Sequence, residues 1–282
     1  NASAAFFGPE ATIRVDAIER GDGGRAIVWS DGTTRAYGTI SARGAVSGGD
    51  GGFVEVSGKR SLDYRAQASV GASNGRGGTL LLDPSDITLV VAGGTLDPQL
   101  NGSTDPNILF ADGGAANTLS VAELTAGFGA GDTIVLEATN NINVSTSFTL
   151  QPGVNLTLRP NADGIGGGAF NFSGGTIGIS NGTLALGPNT VMNWSNGDLL
   201  GTSVPGSVFS VPAGATVNVS NSANNHRMNT LTVNNAGTWN VQTGNATWQW
   251  ENGAQFNNLA SGIVDFQTDG STIGTFTTGG RI

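Results

Sequence analysis

Apolar and polar residues alternate along short runs, and near the start of the chain each run follows a glycine pair. Gly23-Gly24 leads into Arg25-Ala26-Ile27-Val28, Gly51-Gly52 into Phe53-Val54-Glu55-Val56, and Gly77-Gly78 into Thr79-Leu80-Leu81-Leu82. Alternation of this kind predicts a strand with one buried face. Glu55 sets the register, because an unpaired carboxylate is too costly to place in an apolar interior. With Glu55 outward, Val54 and Val56 point inward. The matching positions are Ala26 and Val28 in the first copy and Leu80 and Leu82 in the third, all apolar. The outward set is mixed: Arg25, Ile27 and Trp29, then Phe53, Glu55 and Ser57, then Thr79, Leu81 and Asp83. Gly24, Gly52 and Gly78 recur at steps of 28 and 26 residues. A period of that length implies stacked repeats. The glycines are expected to supply positive φ at a corner.

A second strand type lies between the glycine phrases. Tyr37–Ala42 recurs as Tyr64–Ser69, 27 residues on. Two strand types sharing one period imply at least two sheet faces per coil. Glu10–Asp16 alternates and predicts a strand ahead of the first phrase, with residues 1–9 a frayed or incomplete coil. The pattern stops at Asp83-Pro84, where proline removes a ladder donor and restricts its neighbour. Ile87–Val91 reads as one more strand and 93–117 as a loop. Ser120-Val121-Ala122-Glu123 fits a capping box and Gly127 a helix C-terminus, which predicts one short helix. Strands are then expected at Thr133–Glu137, Asn141–Val144, Asn155–Leu158, Ala169–Phe172, Thr183–Leu186 and Val191–Trp194.

A second repeat occupies the last hundred residues, with phrases beginning at Gly214, Gly237 and Gly262. Aligning their apolar pairs places Val217 and Val219, Trp239 and Val241, and Val264 and Phe266 inward. Asn218, Asn240 and Asp265 then form an outer column. The chain divides on this reading into coils with glycine phrases (1–92), a loop insertion with a short helix (93–130), and coils continuing the same rod (131–282). The fold expected is all-β, a right-handed parallel β-helix.

Composition narrows the function classes. Gly accounts for 46 of 282 residues without a Gly-X-Y period, charged residues for 12%, and cysteine is absent. Asn, Ser, Thr and Gly stand where Lys and Glu would otherwise be, which suits repeated strands whose stacked like charges would repel. Residues 1–76 hold nine basic and eight acidic residues, the remainder three basic and thirteen acidic. An acidic body disfavours nucleic acid. No run approaches the ~18 apolar residues of a membrane-spanning helix. The first residues lack the basic and apolar regions of a signal peptide. The start on Asn1 rather than Met reads as a fragment of a longer chain.

Four stretches carry a resemblance: Gly23–Gly32, Ile40–Gly44, Gly49–Lys59 and Asn74–Pro84. With Asn117–Val144, they are similar to filamentous haemagglutinin-type exoproteins, the large secreted partners of bacterial two-partner secretion. The resemblance covers most of residues 10–158 and is weaker over 183–282. It implies a long right-handed β-helix at the cell surface that serves adhesion, biofilm cohesion or presentation of a tip. It also implies export through an outer-membrane pore.

Candidate chemistry is thin. His226 is the sole histidine; in Asn224-Asn225-His226-Arg227 it reads as a surface loop residue, so no catalytic or zinc site is expected. Asp97, Asp105 and Asp112 match no cation-loop spacing. Carboxylates are too scattered for a polysaccharide-cleaving site, although Glu55 and Asp83 share an outer face with Arg25. Trp194, Trp239, Trp248 and Trp250 read as core filler, with Trp29 outward. Nine Asn-x-Ser/Thr triplets occur, including Asn155, Asn181, Asn193, Asn218 and Asn245, and Asn-rich composition produces many by chance. No regular Thr-x-Thr ladder of the ice-binding kind is present. The expected function is a structural shaft of a secreted surface adhesin, without enzyme activity, cofactor or metal. Its expected partners are a cell-surface receptor or glycan, the secretion pore, and a second copy meeting it end to end through exposed strand edges. A carbohydrate-binding or carbohydrate-active β-helix is the alternative.

Overall fold

The structure is a computed structural model and describes residues 2–91, 117–203, 205–220, 226–242, 247–269 and 272–275. It is all-β apart from one short helix, with parallel strands stacked as a β-solenoid. Two compact units divide at Thr139/Asn140.

In the first unit a full coil has three strands, in keeping with the expected minimum of two faces. The first such coil comprises Arg25–Ser30, Thr33–Ala36 and Thr39–Ser41; the next comprises Phe53–Gly58, Ser61–Tyr64 and Gln67–Ser69. Ala4–Phe7 and Thr12–Arg14 pair with Thr33–Ala36 and Thr39–Ser41, so the chain start is an incomplete coil. Beside the glycine phrases, Arg25–Ser30, Phe53–Gly58, Thr79–Leu82 and Thr133–Ala138 form one parallel ladder. Its register sets Ala26, Val54, Leu80 and Ile134 in one column and Val28, Val56, Leu82 and Leu136 in the next. Val54, Leu80, Ile134, Val56 and Leu136 have no solvent exposure. Val28, in the first full coil, is half-buried. Ser57 is fully buried although it stays on the Glu55 side, where its hydroxyl donates to Glu55 Oε1 at 3.3 Å. The register puts the large indole of Trp29 directly beside this small side chain, and the Ser57 carbonyl accepts a hydrogen bond from Thr34 Oγ1 at 2.7 Å.

The glycine pairs serve a purpose other than positive φ. Positive φ occurs at Gly21, Gly48 and Gly49, outside the pairs. A Cβ on Gly52 would lie 2.2 Å from the Gly24 carbonyl oxygen, and one on Gly78 2.2 Å from that of Gly52. On Gly24 it would come within 3.0 Å of Val15. Gly52 and Gly78 are glycine because the backbone of the adjacent coil occupies the space a side chain would need.

The second ladder corrects the expected step. Tyr64 pairs with Ala36, and Thr39, Ile40 and Ser41 pair with Gln67, Ala68 and Ser69, an offset of 28 rather than 27. A slip of one residue exchanges the faces of a strand. The offset of 27 would have set buried Ile40 against exposed Gln67; the real one sets it against Ala68, which is buried.

After Thr79–Leu82 the chain leaves the three-strand pattern. Ile87–Val90 pairs with Thr118–Ser120, a strand that the sequence pattern does not predict. The helix follows at Val121–Thr125, and the Ser120 side chain accepts from the Glu123 amide as the capping box requires. Ala126 closes it and Gly127 takes φ +82°. The expected loop over 93–117, with Asp97, Asp105 and Asp112, lies outside the described residues up to position 116.

The second unit uses the same logic with more aromatic filling. One ladder runs through Asn155–Pro160, Thr183–Leu186, Val208–Val211, Thr232–Asn235 and Gln255–Asn258. Another runs through Ile142–Val144, Phe170–Ile179, Val191–Gly201, Thr216–Val219, Thr238–Val241 and Ile263–Phe266. The long strands Phe170–Ile179 and Val191–Gly201 turn a corner through a register shift and continue into a third ladder with His226–Asn229 and Thr247–Glu251. The predicted register of the second repeat holds residue for residue: Val217 with Trp239 with Val264, and Val219 with Val241 with Phe266. Val217, Val219 and Trp239 are fully buried, but Phe266 is 46% exposed and Val264 half-buried. An inward side chain is buried by the coils on both sides of it. Ile263–Phe266 has Thr238–Val241 on one side and no strand of its ladder on the other among the described residues.

Candidate functional site

Three groups of side chains stand out, each built by the stacking. The first lies on the glycine phrases of the first unit. Asp22 Oδ1 accepts from the Asp50 amide at 2.7 Å, and Asp50 Oδ1 accepts from the Arg76 amide at 2.9 Å. Each aspartate therefore satisfies the backbone of the coil that follows. Arg76 occupies the third position and donates Nε to Asp50 Oδ2 at 2.8 Å. The Arg76 amide and guanidinium hold the Asp50 carboxyl below its usual value. Asp16 behaves similarly: burial works to raise it, but bonds from the Arg43 side chain, Ser41 and the Arg43 amide outweigh that and hold it low. The expected Arg25 and Glu55 contact is present at 3.9 Å, and Arg25 also stacks 4.5 Å over the Phe53 ring.

The second group is a column of five asparagines in the second unit. Asn171 Nδ2 donates to Asn143 Oδ1 at 2.9 Å, Asn193 to Asn171 at 3.1 Å, Asn218 to Asn193 at 3.2 Å and Asn240 to Asn218 at 2.9 Å. Every amide donates toward the preceding coil, so the ladder has a direction. The glycine-phrase repeat marks only the end of this column, Asn218, Asn240 and Asp265. The signal for the others is the same apolar–Asn–apolar triplet, in Ile142-Asn143-Val144, Phe170-Asn171-Phe172 and Met192-Asn193-Trp194. Asn143, Asn171, Asn193 and Asn218 also begin Asn-x-Ser triplets. The nitrogens of Asn171, Asn193 and Asn218 donate to the preceding coil, so these triplets follow from the ladder.

Asp265 is paired in register with Asn240 at the end of this column. An ionised carboxylate has no proton to donate to the Asn240 oxygen, and it accepts instead from Gln267 Nε2 at 2.9 Å. Asp265→Asn supplies the missing donor. It is expected to stabilise the protein by about 0.5–1.5 kcal/mol, the net worth of one hydrogen bond. Urea denaturation checks this, and a destabilised variant would show that the column's direction is misassigned.

The third group is buried. Phe170, Phe172, Trp194, Phe209, Trp239, Trp250 and Met228 are fully enclosed, with Trp248 and Phe256 nearly so. Trp239 is the hub, with ring centroids at 6.3 Å from Trp194, 6.1 Å from Phe209, 5.4 Å from Trp248 and 5.2 Å from Phe256. Edge-to-face geometry sets positive ring edges on negative faces. The four core assignments for tryptophan hold, while Trp29 is half-buried. His226 overturns its expected place. It lies on the strand His226–Asn229, is 1% exposed, and packs edge-on against Trp194 at 5.3 Å. The Asn-rich approach disguises it. The strand pairing sets it between Gly197 and Trp248, on the inward face with Met228.

Among the described residues no group of three or more His, Cys, Asp or Glu is placed to hold a metal. Asp198, Arg227 and Glu251 form an outer ion-pair chain, Arg227 lying 2.7 Å from Asp198 and 3.8 Å from Glu251. Comparison with known proteins returned no matching family model and no curated protein resembling the chain.

Proposed function

We propose that this chain is a structural shaft segment of a secreted bacterial surface adhesin or filament, and that it holds other regions away from the cell in support of adhesion or biofilm cohesion. One observation carries the reading. The regular polar columns turn their hydrogen-bonding groups on neighbouring coils: Asp22 and Asp50 on the next backbone, and the asparagines on one another. Side chains spent in this way stiffen a stack. The likeness of the glycine phrases to filamentous haemagglutinin-type exoproteins supports the same role, with export through an outer-membrane pore and a place outside the cell. In this role a receptor or glycan is engaged by other regions, and further coils or a second copy cover the strand edges.

The test is a glycan array together with a polysaccharide-turnover screen on the purified chain, alongside deletion of one whole coil from the exported protein. A shaft segment neither binds nor cleaves glycans, and a version shortened by one coil is still exported. Specific glycan binding or turnover would instead support the carbohydrate-active alternative.

A further inference from the structure

We propose that His226 makes the second unit acid-sensitive, so that mild acid loosens its aromatic core without weakening the first unit. The imidazole is 1% exposed and edge-on to Trp194. Nε2 lies 3.1 Å from the Trp194 carbonyl oxygen, while Nδ1 is buried with no hydrogen-bond partner among the described residues. The neutral ring fits this place: it donates once, through Nε2, and leaves Nδ1 bare. Protonation at Nδ1 sets a charge among aromatic rings. Burying that charge is costly.

The charged groups on the adjoining strands do not offset that cost. Val191–Gly201 carries Asp198, His226–Asn229 carries Arg227, and Thr247–Glu251 carries Glu251; Arg227 bridges the two carboxylates on the outer side. Thr216–Val219, Thr238–Val241 and Val208–Val211 bring no titratable group. Burial accordingly holds the imidazole below its ordinary value of 6.5, against the pull of the Trp194, Ser220 and Ser195 backbone and the Asp198 charge.

The sign follows from linkage. Below pH 6.5 the unfolded chain takes up a proton that the folded unit refuses, so stability falls as the pH drops from there toward the lower folded value. His226 is the one histidine in the chain, and no other imidazole contributes in this window. In the first unit Asp16 and Asp50 are held low and burial raises Asp132, a shift by which acid favours the folded state, so none of the three weakens that unit in this window.

The experiment is denaturant unfolding of the whole chain at pH 7.5 and 5.5, followed by tryptophan emission. Trp194, Trp239, Trp248 and Trp250 report the second unit. The wild-type unfolding constant is expected to rise by up to about 10-fold, the full uptake of one proton by an unfolded histidine over that interval. His226→Phe should abolish the rise. An equal rise in the variant, or none in the wild type, overturns the proposal. Should the variant not fold, NMR titration of the single imidazole in the native wild type decides. Its midpoint should lie below the ordinary histidine value, and a midpoint at or above that value overturns the proposal.

Discussion

Val54→Asp is expected to destabilise the first unit by at least about 4 kcal/mol, and Glu55→Gln, one residue along the same strand, by less than about 1 kcal/mol. Val54 is fully buried between Ala26 and Leu80 of the flanking coils. A carboxylate there has apolar neighbours above and below and no cation, and an uncompensated buried charge costs several kcal/mol. Glu55 is half-buried on the outer side, 3.9 Å from an Arg25 that is itself 64% exposed. Solvent-screened pairs of that kind contribute about 0–1 kcal/mol, and a glutamine oxygen still accepts from Ser57. Chemical denaturation of the two variants settles the matter. Equal effects would mean that the inward and outward columns are interchanged.

Trp239→Ala should cost the second unit about 3–5 kcal/mol, the range for emptying a large aromatic site. The indole meets four other rings, and the rigid ladder around it limits collapse into the space. Trp239→Phe should cost much less. It keeps an aromatic ring and removes an indole N–H that is buried without a hydrogen-bond partner among the described residues, a group worth about 1–3 kcal/mol of penalty. Thermal unfolding of both variants tests this. A phenylalanine as damaging as alanine would mean that the indole nitrogen has an essential partner.

Side chains bonded from coil to coil carry the proposed role, and they are partly legible in the sequence alone. Asn218, Asn240 and Asp265 align as a column from their flanking apolar residues. Asn143, Asn171 and Asn193 escape that alignment because no glycine phrase introduces them at a constant distance, so the repeat that reveals the later members is absent. His226 is misplaced by its sequence context for a related reason. Composition around a residue reports the neighbours along the chain, whereas its burial is decided by Trp194 in the preceding coil and Trp248 in the following one.

The sequence by itself determined what depends on local geometry. Side chains alternate in a strand with period two, so one charged residue, Glu55, oriented a whole ladder, and Ser120 with Glu123 and Gly127 bounded the single helix. The tertiary structure alone decided what depends on contacts more than twenty residues apart. It replaced the 27-residue step by 28, added the strands Thr33–Ala36 and Ser61–Tyr64, buried Ser57, and left Phe266 partly exposed. It also gave Gly52 and Gly78 their reason, since a glycine needed for φ and a glycine needed for close approach look alike in a sequence. Only the neighbouring coil's carbonyl, 2.2 Å from where a Cβ would stand, distinguishes them.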